Sequence, residues 1–232
     1  VTKFFLFYIL TWVTHSPFLA LLIILVFYFF LDRRYVGFFT GLSRSFRTRR
    51  EISTLRREVM LNPHNAEALS DLGRDLVQMK RYQEGVEYLE KSLEKMSGIP
   101  ETCFYLGVGY LKLGHLDRAE EQLRRVVQID PRYGYGEGYL RLGDVYLTRG
   151  DWDSALLAYE SFVGIHTSSS EGFFKIGEIW RRKGELSRAE ENFRKALRAF
   201  RGSPPHKKRV DRSWFWRARL RLLRTTPRLP GG

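Results

Sequence analysis

The residues able to do chemistry are few, and their spacing does not assemble a reaction. Histidines stand at His15, His64, His115, His166 and His206, with no two at a metal-ligand spacing. Cys103 is the only cysteine, which excludes an intramolecular disulfide and a zinc site built from several cysteines. It replaces the first large residue of a helix and reads as a small buried hydrophobe, not a nucleophile. His15 lies inside an apolar run, where a hydrogen bond to a helix carbonyl or to a partner is its expected role. No glycine-rich loop carries the lysine and hydroxyl that phosphate binding requires. Pairs such as Glu87 with Lys91 stand at helix spacing and read as solvated faces. The expectation is a chain with no catalytic residue, no cofactor and no metal, and therefore not an enzyme.

One concentration of reactive surface remains, in the C-terminal segment VDRSWFWRARLRLLR. Trp214, Trp216, Arg217, Arg219, Arg221 and Arg224 could meet anionic lipid, with the tryptophans at the interface. The same set could hold nucleic-acid phosphate and stack bases. It could also form a helix with Trp216, Leu220 and Leu223 on one side that covers the end of the preceding fold and turns its arginines outward. All three readings stay open at this level. Charge distribution narrows them. Lys and Arg number 39 against 26 Asp and Glu over 232 residues. The excess is +6 in residues 1–60 and +9 in 201–232, while 61–200 carry −2. A uniformly basic nucleic-acid-binding domain does not fit that pattern, so nucleic acid is disfavoured as a partner.

At the N-terminus, residues 4–13 and 18–31 are apolar, and no charge occurs between Lys3 and Asp32. A straight helix over 4–31 would be about 42 Å long, against a hydrocarbon core of about 30 Å. Residues 1–34 are accordingly expected to form a single-pass transmembrane anchor, kinked near Pro17. A re-entrant or interfacial pair of short helices is the alternative. A cleaved signal peptide fits poorly, because the run is too long and no small-x-small site follows it. The arginines after Asp32 place the remainder in the cytoplasm, at a bacterial inner membrane. Residues 35–62 read as a basic juxtamembrane segment and a lead-in helix, with Ile52, Leu55 and Val59 at helical period before Asn62-Pro63.

The middle of the chain repeats. Gly73, Gly107, Gly143 and Gly177 are separated by 34, 36 and 34 residues, each after Leu72, Leu106, Leu142 or Ile176. Three positions later stand Leu76, Tyr110, Tyr146 and Trp180. Gly85, Ala119, Ala155 and Ala189 recur twelve after the anchor glycines, and Leu89, Leu123, Tyr159 and Phe193 four after those. Turn glycines occur at 114, 150 and 184, with Lys80 in that place in the first unit. A large residue at every third or fourth position makes an apolar stripe, and the glycine within it lets two antiparallel helices approach. One such pair cannot bury its own stripe, so successive pairs stack. The expected fold is all-α, a solenoid of four helix pairs at about 66–99, 100–133, 136–169 and 170–201 within 63–201, followed by a basic tail over 202–232.

These residues resemble the tetratricopeptide repeat (TPR) family of right-handed helical solenoids, which bind peptides or partner proteins. The resemblance is weakest in the first unit, where Gly85 replaces alanine and looser packing of the second helix is expected. It implies that the first helix of each unit lines a concave groove. Carried onto this chain, the groove would include Ser70, Arg74, Val77, Phe104, Val108, Leu111, Leu140, Asp144, Leu147, Phe174, Glu178 and Arg181. Phe104, Leu140 and Phe174 hold one position in successive units and would form an open apolar ladder edged by carboxylates. An apolar or partly basic segment would be the fitting ligand. Residues that clamp a chaperone's C-terminal carboxylate in the family are lacking in the first two units. The function implied is a membrane-anchored scaffold for a protein or peptide partner, with lipid contact through the anchor and the tail.

Overall fold

The computed structural model describes residues 2–31 and 38–225, with side chains described for 7–27 and 48–223. Contacts divide the chain into two units, Val1–Arg57 and Glu58–Gly232. The first holds α1 (Thr2–Thr14), α2 (Pro17–Leu31) and most of α3 (Phe38–Leu61). Its apolar run is broken: His15 takes a left-handed φ of 50°, and Pro17 starts a new helix. The two pieces, of 13 and 15 residues, are about 20 and 22 Å long at ~1.5 Å per residue. Neither reaches the ~30 Å of a hydrocarbon core. No helix among the described residues is long and apolar enough to cross a membrane. This overturns the single-pass anchor expected over 1–34, and with it the inner-membrane location derived from it. Residues 32–37 and the end of the tail from 226 lie outside the described residues.

The second unit is a stack of antiparallel helix pairs: α4 (Ala66–Gln78) with α5 (Tyr82–Lys95), α6 (Pro100–Leu113) with α7 (Leu116–Ile129), α8 (Glu137–Arg149) with α9 (Trp152–Ile165), and α10 (Ser170–Arg182) with α11 (Leu186–Gly202). Local chemistry starts several of these helices. Asn65, Asp151 and Ser169 each accept a hydrogen bond from the backbone amide three residues on, and Pro100 occupies the first turn of α6. The repeat-core residues form the interior: Leu72, Leu106, Ile176, Ala119, Ala155 and Ala189 are all at most 3% exposed, and Leu142, Tyr110 and Tyr146 are buried. Trp180 packs against this core from a half-buried position.

The first unit departs from expectation. A Cβ added at Gly73 would lie 2.8 Å from the Gly85 carbonyl, against 3.4 Å from Gly107 to the Ala119 carbonyl and 3.2 Å from Gly177 to that of Ala189. With glycine on both helices, α4 and α5 approach more closely than α6 with α7 or α10 with α11, not less. The turn between them is strained instead. Lys80 adopts φ 64° where Gly114, Gly150 and Gly184 adopt 82–83°, while Arg81 still donates to the Leu76 carbonyl at 2.9 Å, as His115 does to Tyr110. A left-handed residue with a side chain costs about 1–2 kcal/mol. Lys80→Gly should therefore raise stability by about 1 kcal/mol, read as an upward shift of the urea midpoint without a change in slope. Between the second and third units the two extra residues are taken up by a 3-10 turn, Tyr133–Tyr135, with Gly134, Tyr135 and Gly136 all at positive φ.

Candidate functional site: a cavity under the last helix

The final helix, α12 (Pro205–Thr225), follows Pro204 directly and packs on α10 and α11. Its contacts advance in step with those of α10. Lys207 donates to the Ser168 carbonyl at 3.0 Å, the Trp214 ring lies 5.5 Å from that of Phe174, and Arg221 makes a two-point bond to Glu178 at 2.7 and 3.1 Å. So α12 runs parallel to α10, where the first helix of a further unit would lie. Ala218 is its fully buried contact with the solenoid.

Most of the groove residues expected from the sequence are engaged within the stack. Phe104 is 5% exposed, because Tyr133 of the inserted turn lies over it at 5.3 Å; burial pushes the Tyr133 phenol pKa up. Leu140 and Phe174 are 3% and 7% exposed, and Phe174 is wedged between Phe193 and Trp214. The expected open ladder is therefore closed: all three side chains are buried, the Phe104 and Phe174 rings against neighbouring aromatic rings. Val77 is buried, while Val108 and Leu111 pack against the core from half-buried positions.

The polar groove residues cross-link units. Ser70 and Thr102 share a hydroxyl bond of 2.8 Å, and Arg74 joins Asp71, Asp75 and Glu101. Asp144 accepts from Tyr159 at 2.7 Å, Lys175 at 2.5 Å and Arg141 at 3.0 Å. Burial would raise its pKa, but Lys175 and Arg141 outweigh burial and hold it below the ordinary aspartate value. The Tyr159 phenol, buried beside that carboxylate, is pushed far up. Glu178 takes both Arg181 and Arg221. Asp144 and Glu178, expected to edge an open groove, are thus neutralised by the fold.

An open space remains where α8, α10 and α12 converge, a cavity of about 480 Å3. Leu147, Phe174, Trp214 and Leu220 give it an apolar lining, and Lys175, Arg182, Arg217 and Arg221 surround them with one carboxylate, Glu178. Lys175 and Arg221 are paired. Arg182 is exposed and has no carboxylate partner among the described residues, and Arg217 lies over the Trp214 ring at 4.7 Å. Trp216, half exposed, faces outward with Arg219 over its ring at 5.4 Å; the side chain of Arg224 lies outside those described. The sequence offered α12 as a cover for the end of the stack, but with Trp216, Leu220 and Leu223 inward and the arginines outward. Those three are 50%, 55% and 70% exposed, and Trp214, Ala218, Leu222 and the Glu178-bound Arg221 make the contact instead.

Three tetratricopeptide repeat family models match, over residues 65–96, 100–133 and 140–204. A TPR repeat-containing protein of Pseudomonas aeruginosa is 38% identical over 87 residues, which cover 38% of this chain and 79% of that protein. The chain belongs to the tetratricopeptide repeat family. The BBSome complex member BBS4 of Bos taurus is 25% identical over 137 residues, 59% of this chain, and this TPR chain spans only 26% of that relative's length. Among solved structures, MamA is 26% identical, covering 64% of this chain and 85% of its own, with a TM-score of 0.60. YrrB, described as a TPR protein with an unusual peptide-binding site, is 21% identical, covering 77% of this chain and 90% of its own, with a TM-score of 0.58; that likeness concerns the fold. The TPR stack and the helix closing it thus frame the cavity.

Proposed function

We propose that this TPR chain is a non-enzymatic scaffold that holds a segment of a partner protein in the cavity between α8, α10 and α12. The observation that carries the reading is the joining of an apolar lining to Arg182 and Arg217, which have no carboxylate partner among the described residues, under the helix that closes the stack. Such a surface suits an extended segment with a bulky apolar side chain beside Asp or Glu, the apolar group displacing water and the carboxylate meeting the guanidinium. The sequence alone favoured an apolar or partly basic ligand. The sign changes because Glu101, Asp144 and Glu178 are consumed by Arg74, Lys175 and Arg221.

Selection from a peptide-display library on the full chain tests this. Recovered peptides should pair Leu, Phe or Trp with Asp or Glu. Arg182→Glu combined with Arg217→Glu should weaken them by about tenfold or more, equivalent to about 1.4 kcal/mol. Recovery of basic peptides, or unchanged binding by the double variant, would refute the proposal.

A further inference from the structure

A second cavity, of about 280 Å3, lies at the opposite end of the α10–α12 seam, and its chemistry is reversed. Glu137, Glu171 and Asp211 present three carboxylates to it from α8, α10 and α12, beside the apolar surfaces of Leu140, Phe162 and Val210. Asp211 is only 8% exposed, and its Oδ2 has no hydrogen-bond partner among the described residues. An ionised oxygen left so costs several kcal/mol, which native structures offset with a partner or relieve by protonation.

The neighbouring cation is already committed. Lys207, one turn before Asp211, spends its three N–H donors on His166 Nε2 at 2.7 Å and on the Ser168 carbonyl and hydroxyl at 3.0 and 3.1 Å. Glu171 is paired with Lys175 at 2.9 Å, whereas Glu137 has no ion pair among the described residues. Burial pushes the carboxyl pKa of both Glu137 and Asp211 upward, with too little positive charge nearby to reverse it. Two desolvated carboxylates on different helices thus line a space shared with the committed Lys207 and with His166 and His206, and neither carboxylate has an ion pair among the described residues. No set of three ligating side chains able to hold a metal occurs among the described residues.

We propose that this cavity is a receptor for one basic side chain, the ammonium or guanidinium of a partner protein's Lys or Arg, held between Asp211 and Glu137. The carboxylates supply the charge, and Leu140, Phe162 and Val210 enclose the aliphatic stem. The inference does not rest on the first cavity, because a single amino-acid derivative suffices to test it.

The test is a titration of the full chain with N-acetyl-arginine amide and N-acetyl-lysine amide, reading the side-chain carboxyl carbons of Asp211 and Glu137 by NMR. N-acetyl-norleucine amide serves as the uncharged control. At least one cationic probe should move both carbons saturably, and norleucine should not. Asp211→Asn should abolish saturation at the Glu137 carbon. Should that variant lose its fold by circular dichroism, Glu137→Gln, read at Asp211, should weaken binding at least severalfold. An equal response to norleucine, a response reproduced by sodium chloride at matched ionic strength, or unchanged binding by the variants would overturn the proposal. So would carboxyl carbons unmoved by either probe, which would leave Asp211 as a buried protonated carboxyl without a ligand.

Discussion

Phe193→Ala should destabilise the C-terminal end of the solenoid by about 3–5 kcal/mol, the cost of emptying a buried aromatic site that cannot collapse. Phe193 is fully buried, and its ring lies so flat on Gly177 that a Cβ there would come within 2.7 Å of it. Ala189, Ala196 and Ala218, each 0% exposed, belong to the same cluster, and Phe174 stacks on Phe193 at 5.6 Å before meeting Trp214. Removing the ring therefore loosens α10, α11 and α12 together and unseats the apolar lining of the first cavity. Because each unit of a solenoid touches only its neighbours, the damage should stay local. Amide exchange should accelerate over 170–225 while α4 to α7 keep their protection. Uniform acceleration along the stack would show one cooperative block instead.

Asp144→Ala is expected to cost about 2–3 kcal/mol, at or below the lower end of the range for a fully buried charge network, because Asp144 and its partners are part-buried. The value stays low because Lys175 retains Glu171 at 2.9 Å, although Tyr159 and Arg141 lose their acceptor. The effect depends on pH. A carboxylate with a depressed folded-state pKa contributes stability at neutral pH and loses that contribution as pH falls through that pKa. The difference in urea midpoint between wild type and variant should thus be full at pH ~7 and shrink below pH ~4. A constant difference across that window would assign the cost to packing alone.

How much of this was legible in the sequence depends on what the information concerns. Periodicity reports which face of a helix is apolar, so Leu72, Leu106, Ala119 and Ile176 are interior as their spacing implies. It does not report which element covers that face. Phe104 matched the expected groove position, yet Tyr133, from a turn outside the repeat, closes over it. Trp214 and Arg221 carry no repeat signature, and only the parallel course of α12 brings them to Phe174 and Glu178. The N-terminal run shows a related limit. Its hydropathy is continuous enough to suggest one long helix, but the left-handed turn at His15 ahead of Pro17 divides it. Gly85 illustrates the opposite error, since a smaller residue brought the backbones closer and opened no gap.

The most direct test of the first cavity as the binding face is site-specific photo-crosslinking of a selected acidic-apolar peptide to the full chain. The crosslinker would be placed at Leu220, which lines that cavity, and in a second protein at Leu157, 66% exposed on α9 and absent from the cavity lining. A peptide adduct at position 220, lost in the Arg182→Glu, Arg217→Glu background and missing at position 157, is the predicted result. An adduct at 157 with none at 220 would contradict it.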